Sequence, residues 1–179
     1  MTEGRFVVPE VVATHFHLRP GDTVGDFGAG TGFFATALSR LVGPEGKVYC
    51  VEIQKNLVEK LIDKVRLEHL SNVEVIWGDL EEESATKIPD NTLDAGVIVN
   101  TLFQTEDRNL AVREIARTLR SGGKLFIIDL IESWGGLGPQ PGNVLDKDEA
   151  RAVAESAGLT FEREFDAGGH HYGLAFRKS

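Results

Sequence analysis

The stretch "VGDFGAGTGFFATAL", residues 24–38, decides the fold. A short, mostly apolar run leads into a turn with glycines at 28, 30 and 32, and a helical pattern follows. A strand, a glycine-rich turn and a helix in this order leave free backbone N–H groups at the start of the helix. Glycine also lets the backbone adopt unusual angles and lets a ligand approach closely. The stretch therefore predicts a ligand site at the end of a strand.

The spacing of the glycines narrows the kind of ligand. The dinucleotide fingerprint requires a third glycine at residue 33, which is Phe33, and no lysine of a phosphate-binding loop follows Gly32 before Lys47. The pattern is instead D-x-G-x-G-x-G, beginning at Asp26. An acid at this position repels a pyrophosphate and favours a cation such as an ammonium group. A dinucleotide-dependent dehydrogenase is therefore disfavoured.

Two further acids follow the ends of later strands. Glu52 ends "KVYCVE", about twenty residues beyond the turn, where an acid accepts hydrogen bonds from ribose hydroxyls. Asp79 in "WGDL" is placed to accept from an adenine amino group, and the N–H of Leu80 to bond a ring nitrogen. Ile53, with Trp77 or Leu80, is expected to flank the base. These residues predict a ligand with an amino-acid end and a nucleoside end.

Short apolar runs alternate with helical patterns along the chain, which predicts an α/β fold with a parallel sheet between two layers of helices. The expected strands are Val24–Phe27, Val48–Val51, Val73–Trp77, Leu93–Val99 and Leu125–Leu130. The expected helices are Phe33–Val42, Asn56–Glu68, Arg108–Leu119 with "SGG" as its C-terminal cap, and one that opens at Asp146 and stops before Gly158. The polar stretch "LEEESATKIPDNT" predicts no confident helix.

The end of the chain has a different pattern. "LTFEREF" and "HYGLAFRK" are two strand-like runs joined only by "DAGGH", so we expect a hairpin whose last strand is antiparallel to its neighbour. No linker divides the sequence, and we expect one domain over residues 1–179.

Bulk properties limit the function classes. The net charge of −9 disfavours nucleic acid and anionic lipid surfaces as main partners, although a local basic patch can override it. No apolar run is long enough to span a membrane, and "MTEGRFVVPE" lacks the shape of a signal peptide. With Cys50 as the single cysteine, we expect a cytoplasmic protein. Its oligomeric state, a homodimer included, stays open.

Five segments together resemble the successive motifs of the class I S-adenosylmethionine-dependent methyltransferases: "VGDFGAGTGFFA", "VYCVEIQ", "VIWGDLE", "LDAGVIVNTLFQ" and "LRSGGKLFIIDLI". The resemblance covers roughly residues 20–179 and is greatest to the small enzymes similar to the ubiquinone/menaquinone-biosynthesis type. It implies a three-layer Rossmann-like sandwich with a seven-stranded sheet ordered 3-2-1-4-5-7-6 and strand seven antiparallel. S-adenosylmethionine is the implied cofactor and S-adenosylhomocysteine the implied product.

The resemblance also assigns cofactor roles to residues. Asp26, Gly28, Gly30 and Thr31 are implied to hold the methionine portion, and Asn100 to lie near the same end. The full set expected at the cofactor is Asp26, Gly28, Ala29, Gly30, Thr31, Gly32, Glu52, Ile53, Asp79, Leu80 and Asn100.

The methyl acceptor is expected at the same edge of the sheet, because ligands of open α/β sheets bind outside the carboxyl ends of the strands. Thr101 and Phe103, Trp134 in the Gly/Pro-rich loop 133–143, and His171 are the expected substrate contacts. His170, His171 and Asn100 are the candidate catalytic residues, with at most one of the two histidines facing the pocket. No metal site is expected.

Two other functions stay open at this stage. One is a binding module that holds S-adenosylmethionine without transferring a methyl group. The other is a methyltransferase acting on RNA or protein, which "FVVPE" and "GPEGKVYCVE" favour and the negative charge disfavours. A small-molecule methyltransferase is the main hypothesis.

Overall fold

The computed structural model describes residues 7–133 and 138–179, so Trp134 lies outside the described residues. Its centre is a seven-stranded sheet in the order β3-β2-β1-β4-β5-β7-β6. The strands are β1 (Thr23–Phe27), β2 (Lys47–Glu52), β3 (Val73–Trp77), β4 (Leu93–Val99), β5 (Leu119–Leu130), β6 (Leu159–Asp166) and β7 (His171–Lys178). Neighbouring strands are parallel except that β7 is antiparallel to β5 and β6. The expected sheet order and the antiparallel last strand are thus confirmed.

Helices cover both faces of the sheet. They are α1 (Pro9–Val12), α2 (Ala35–Val42), α3 (Lys55–Leu67), α4 (Arg108–Thr118) and α5 (Lys147–Ser156). One apolar cluster joins the sheet to α1, α2 and α3, with Phe16, Leu38 and Leu61 fully or almost fully buried. A second joins the other face to α4 and α5 through side chains such as Ile115 and Ala154. The two clusters make the three layers expected from the alternation of strands and helices.

The "SGG" segment corrects one sequence expectation. The helix α4 ends at Thr118, and Leu119 is already extended, with φ −70° and ψ 136°. Ser121, Gly122 and Gly123 lie inside β5, where the pairing with β4 shifts register. Gly122 has φ +75° there. It therefore serves a bulge between two strands rather than the end of a helix.

The remaining element boundaries differ from expectation by a residue or two. The helix expected from Phe33 begins at Ala35. Phe34 is its N-cap residue, and its side chain makes no capping hydrogen bond. The last helix begins after Asp146, whose carboxylate accepts a hydrogen bond from the backbone nitrogen of Glu149 at 2.8 Å, as the sequence predicts. Within the described ranges, no helix is long and apolar enough to cross a membrane.

Candidate functional site

A cleft of about 340 Å³ opens where the parallel strands β1 to β4 end. This is the edge at which open α/β sheets bind their ligands. The glycine turn after β1, the end of β2 and the segments after β3 and β4 all contribute to its wall. The lining residues are Gly28, Gly30, Val51, Glu52, Ile53, Gln54, Leu57, Gly78, Asp79, Leu80, Glu81, Val99, Asn100, Thr101, Gln104 and Thr105.

The glycine turn uses its glycines for two different purposes. At Gly28, φ is +73° and a Cβ would stand 2.5 Å from Thr101 Cγ2, so the missing side chain lets two segments approach. At Gly30, φ is +58° and a Cβ would have no neighbour within 4 Å in the part of the chain that the structure describes. Because Gly30 lines the cleft, its open surroundings leave the backbone accessible to a ligand. The turn is fastened to β2 by Gly28 N–H, which donates to Val51 O at 2.9 Å.

Glu52 connects the end of β2 to that turn. Its side chain is buried, and its two carboxylate oxygens accept from different backbone groups. Oε2 accepts from Gly30 N at 2.8 Å and Oε1 from Gln54 N at 2.9 Å. A carboxylate oxygen has two lone pairs, so each oxygen retains capacity for one further donor.

Asp26 is a buried carboxylate at the base of the turn, only 3% exposed. Its Oδ2 is buried and has no hydrogen-bond partner among the described residues. Burial raises the pKa of Asp26 to about 7, and the nearby charge of Glu52 adds to the increase. A buried acceptor without a partner is costly, so this position favours a cationic or hydrogen-bonding group from a ligand.

The segment after β3 forms another part of the cleft wall. Asp79 Oδ1 accepts from Glu81 N at 2.8 Å, which fixes the carboxylate at the rim. Leu80 is buried, whereas Ile53 is 52% exposed, and both line the cleft as the expected flanks of a base. Trp77, the alternative flank, lies outside the lining. Its Nε1 donates to Ile53 O at 2.8 Å instead.

The segment after β4 forms the last part of the cleft wall, which we call the β4 wall. Asn100 has φ +50°, an uncommon value for a residue with a side chain, and its N–H donates to Ile128 O at 2.9 Å. Its Oδ1 is buried and lacks a hydrogen-bond partner within the described part of the chain. Gln104 Nε2 donates to Asn100 O at 2.8 Å and stabilises the strained turn. Strain together with an unpartnered acceptor is typical of a ligand-binding position.

The structure brings together most of the residues that the sequence singled out. Those in the lining are Gly28, Gly30, Glu52, Ile53, Asp79, Leu80, Asn100 and Thr101. Ala29, Thr31 and Gly32 belong to the same turn, and Asp26 to β1 directly before it, but these four residues are outside the lining. A Cβ at Gly32 would stand 2.5 Å from Leu61 Cδ1, so this glycine serves packing against α3.

The expected substrate and catalytic residues are more dispersed. Phe103 packs against the apolar core, and its N–H donates to Asp129 Oδ2 at 3.2 Å. His171 lines a second cavity rather than the cleft. His170, which precedes it in the hairpin, is also outside the cleft lining. Their catalytic roles stay predictions.

Several lining residues went unnoticed in the sequence. They are Val51, Gln54, Leu57, Gly78, Glu81, Val99, Gln104 and Thr105. Most of them are sequence neighbours of predicted residues, so their position beside a strand end is the feature from which they could have been predicted.

The chemistry of the lining fits one class of ligand. Its described residues include the acids Glu52, Asp79 and Glu81 and no lysine, arginine or histidine. Two buried acceptors without a partner among the described residues, Asn100 Oδ1 in the lining and Asp26 Oδ2 in β1 directly before the glycine turn, add to this set. S-adenosylmethionine carries, besides its carboxylate and the adenine ring nitrogens, several donors and positive groups: an ammonium, ribose hydroxyls, an adenine amino group and a sulfonium. The residues present therefore fit this cofactor and would repel a pyrophosphate.

Comparison with known proteins agrees with this assignment. A family model described as "Methyltransferase domain" matches residues 25–127, more than half of the chain. A solved structure of a SAM-dependent methyltransferase from Aquifex aeolicus is 30% identical, with a TM-score of 0.88. The alignment covers 97% of this chain and 91% of that one. The chain belongs to the class I S-adenosylmethionine-dependent methyltransferases.

This methyltransferase has other relatives that differ in extent and chemistry. The ubiquinone/menaquinone biosynthesis C-methyltransferase of Pasteurella multocida is 34% identical over 113 residues, which are 63% of this chain and 41% of that protein. The present chain thus spans about two fifths of that relative's length. The [4+2]-cyclase SpnF is 19% identical, with a TM-score of 0.79 over 95% of this chain and 80% of that one. At that identity the likeness concerns the fold alone.

Proposed function

We propose that this methyltransferase binds S-adenosylmethionine in the cleft and transfers its methyl group to a small-molecule acceptor. The observation that carries the proposal is the set of acceptors in and below the cleft. Among the described residues, Asn100 Oδ1 in the lining and Asp26 Oδ2, in β1 directly before the glycine turn, are buried and unpartnered. The carboxylates of Glu52 and Asp79 belong to the lining. A ligand that carries several hydrogen-bond donors fits these four acceptors.

Each end of the cofactor has its own residues. The carboxylate of Asp26 would accept from the ammonium of the methionine portion, and Asn100 Oδ1 supplies a second acceptor beside it. Glu52 would accept from the ribose hydroxyls while retaining its bonds to Gly30 and Gln54. Asp79 would accept from the adenine amino group, between Ile53 and Leu80. This division predicts which ligand fragments each substitution affects.

The cofactor supplies a methyl group activated by its positive sulfur, and the protein supplies position. The described lining contains no cysteine, serine, histidine or lysine that would act as a covalent nucleophile. Orientation of donor and acceptor is therefore the main contribution of the chain. Asn100, Thr101 and Thr105 line the side of the cleft that follows β4, and this is the side where we expect the methyl group.

The acceptor class is proposed from charge and from the extent of the family match. A net charge of −9 disfavours a polyanionic acceptor such as RNA. The match to the family model ends at residue 127, before the loop and hairpin that follow β5. The substrates that appear in the relatives' names are therefore not assigned to this chain.

The test is a transfer assay with methyl-labelled S-adenosylmethionine. The protein is incubated with a cell extract separated into a small-molecule fraction and a macromolecular fraction. We expect label in the small-molecule fraction with the wild-type protein and, at a cofactor concentration that does not saturate the variant, at least tenfold less with Asp26→Asn. Label only in RNA or protein would favour the macromolecular alternative. Cofactor binding without transfer to either fraction would favour a non-catalytic binding module.

A further inference from the structure

A second cavity, of about 360 Å³, lies at the same edge of the sheet as the cofactor cleft. It is bounded by the β6–β7 hairpin, the start of α5 and the residue after β5. Its lining residues are Ile131, Asp146, Lys147, Glu164, Phe165, His171, Tyr172 and Gly173, none of which lines the cofactor cleft. Its volume suits a molecule of one ring with substituents.

His171 is the unusual group in this cavity. It is 6% exposed, and both Nδ1 and Nε2 are buried without a hydrogen-bond partner in the described structure. Burial lowers the pKa of His171 to about 4, and the neighbouring His170 contributes in the same direction. The imidazole is therefore neutral near pH 7 and offers one donor and one acceptor. Leaving both unsatisfied is costly, which favours a ligand that bonds to them.

The other polar groups of the cavity are already paired. Lys147 Nζ lies 3.1 Å from Glu164 Oε1. Asp146 caps α5 through Glu149 N, and the hydroxyl of Tyr172 donates to Leu145 O at 2.9 Å. A ligand charge would thus compete with existing pairs and gain little. This pairing favours an uncharged ligand.

The wall beside His171 is apolar and closely fitted. A Cβ at Gly173 would stand 2.5 Å from Phe165 Cε2, so the glycine leaves room for that ring against β7. Ile131, the residue after β5, also lines this cavity and is 55% exposed. An apolar body therefore suits the space that Phe165 and Ile131 border.

The two cavities are separated by one strand. Val99 at the end of β4 pairs with Ile128 of β5, and Leu130 of β5 pairs with His171 of β7. Neighbouring strands are about 4.8 Å apart, so His171 lies roughly 10 Å along the sheet from the end of β4. That span is within the length of a small molecule.

We propose that the second cavity binds the methyl acceptor, as an uncharged, largely apolar molecule whose hydroxyl or carbonyl bonds to His171. The acceptor role rests on the proposed function, whereas the ligand class rests on the cavity alone. The anchoring hydroxyl or carbonyl is distinct from the methylated atom, because β5 lies between His171 on β7 and β4, the last strand of the cofactor cleft.

The experiment uses phenol, toluene and benzoate as probes, with NMR detection of the histidine ring nitrogens. In the wild-type protein we expect phenol to shift the His171 resonances and to bind about tenfold or more tightly than toluene. Benzoate is expected not to bind. In His171→Phe, phenol and toluene should bind equally, whereas the control His69→Asn, at an exposed left-handed position, should retain the preference for phenol.

Absence of phenol binding, equal affinity for phenol and toluene in the wild-type protein, or a preference retained in His171→Phe would each overturn the proposed ligand class. If His171→Phe does not fold, the wild-type ring-nitrogen titration decides. The same samples are titrated with S-adenosylhomocysteine. Lack of cofactor binding would overturn the proposed function and leave the phenol result standing. An acceptor from the transfer assay that fails to displace phenol would overturn the acceptor role alone.

Discussion

The carboxylate of Glu52 holds the backbone of Gly30, with Oε2 2.8 Å from the glycine nitrogen. This bond joins the end of β2 to the middle of the turn after β1. The same carboxylate holds Gln54 N through its other oxygen. The residue assigned to the ribose therefore also shapes the turn that faces the methionine portion, so the two halves of the proposed cofactor site are physically connected.

Glu52→Gln should weaken both the fold of the turn and the binding of every adenosine-bearing ligand. The amide places an NH₂ against one of two backbone N–H donors, at a cost of about 1–3 kcal/mol for the unmade bond. We expect affinity for S-adenosylhomocysteine and for 5′-methylthioadenosine to fall together, by about tenfold or more. Calorimetry with both ligands measures this. Unchanged affinity for 5′-methylthioadenosine would remove Glu52 from the ribose site.

Asp26→Asn, unlike Glu52→Gln, should weaken the binding of only one of the same two ligands. Only S-adenosylhomocysteine carries the ammonium that Asp26 is proposed to hold, so its affinity should fall at least tenfold while that of 5′-methylthioadenosine stays within about twofold. Equal losses for both ligands would contradict the assignment. Asp22→Asn, at a half-buried acid of the preceding turn whose Oδ2 accepts from Arg19 N at 2.8 Å, is the matched control and should change neither affinity.

Asp26 also predicts a pH dependence with a defined sign. Its pKa of about 7 in the folded protein lies above the ordinary 3.8, so the unfolded chain loses this proton at lower pH. The contribution of Asp26 to the stability of the ligand-free protein should therefore decrease as pH rises from about 4 to about 7. Asp129, whose pKa is also raised to about 7, contributes in the same direction, and His171, whose pKa is lowered to about 4, contributes in the opposite one, so the comparison of variant and wild type isolates Asp26. Asp26→Asn should gain stability relative to the wild-type protein as pH rises, by about 1–2 kcal/mol at pH 8. Thermal unfolding of both proteins across this range tests it, and a stability difference that does not change with pH would contradict it.

Cofactor affinity should follow the opposite trend over part of the same range. Binding to ionised Asp26 strengthens as pH rises towards about 7 and then levels off. Calorimetric titrations of S-adenosylhomocysteine between pH 5.5 and 8 should give an affinity that rises with pH and reaches a plateau for the wild-type protein. In Asp26→Asn this rise should be absent. A rise of unchanged slope in that variant would assign the titration to another group.

Gly28 and Gly30 should respond differently to alanine. Gly28→Ala places a methyl group against Thr101 and should destabilise the fold by more than the roughly 1 kcal/mol expected for a left-handed alanine alone. Gly30→Ala meets no atom of residues 7–133 or 138–179 within 4 Å, so it should cost only about that 1 kcal/mol while obstructing the cleft. Denaturant unfolding and S-adenosylhomocysteine titration separate the two. A fully stable Gly28→Ala, or a Gly30→Ala with wild-type affinity, would contradict this division.

Asp129 should act as a positioning residue beneath the β4 wall. It is 1% exposed, and its oxygens accept from Phe103 N at 3.2 Å and Leu130 N at 3.0 Å. Asp129→Ala should leave the Phe103 amide without its partner and speed its hydrogen exchange, with weaker cofactor affinity as a consequence. Asp94→Ala, which removes an acceptor from Thr23 N at the far end of the sheet, is the control and should leave Phe103 exchange unchanged.

The sheet and most of the cleft follow from local patterns in the sequence. Runs such as Val73–Trp77 and Leu93–Val99 match the observed strands because apolar content and flanking turn residues define them locally. Glu52 and Asp79 could be assigned because they end strands whose carboxyl ends meet at one edge. Asn100 could be assigned to the same edge because it directly follows β4.

Features that depend on partners distant in sequence were not predictable. The "SGG" segment has the composition of a helix cap, yet its glycines serve a bulge that exists only because β5 pairs with β4. The position of β7 beyond β5, by contrast, was expected from the family resemblance and is confirmed. What was not predictable is that His171, an expected substrate contact, lines a second cavity, because that cavity exists only where side chains of β6, β7 and α5 meet in the folded protein.

The central claim is that the cleft at the ends of β1 to β4 binds S-adenosylmethionine through its amino-acid and nucleoside ends. The most direct measurement is calorimetric titration of the folded wild-type protein with S-adenosylmethionine at pH 7.5, alongside Asp26→Asn. The account predicts saturable one-to-one binding that is at least tenfold weaker in the variant. No detectable binding by the folded wild-type protein, or equal affinity in the two proteins, would contradict it.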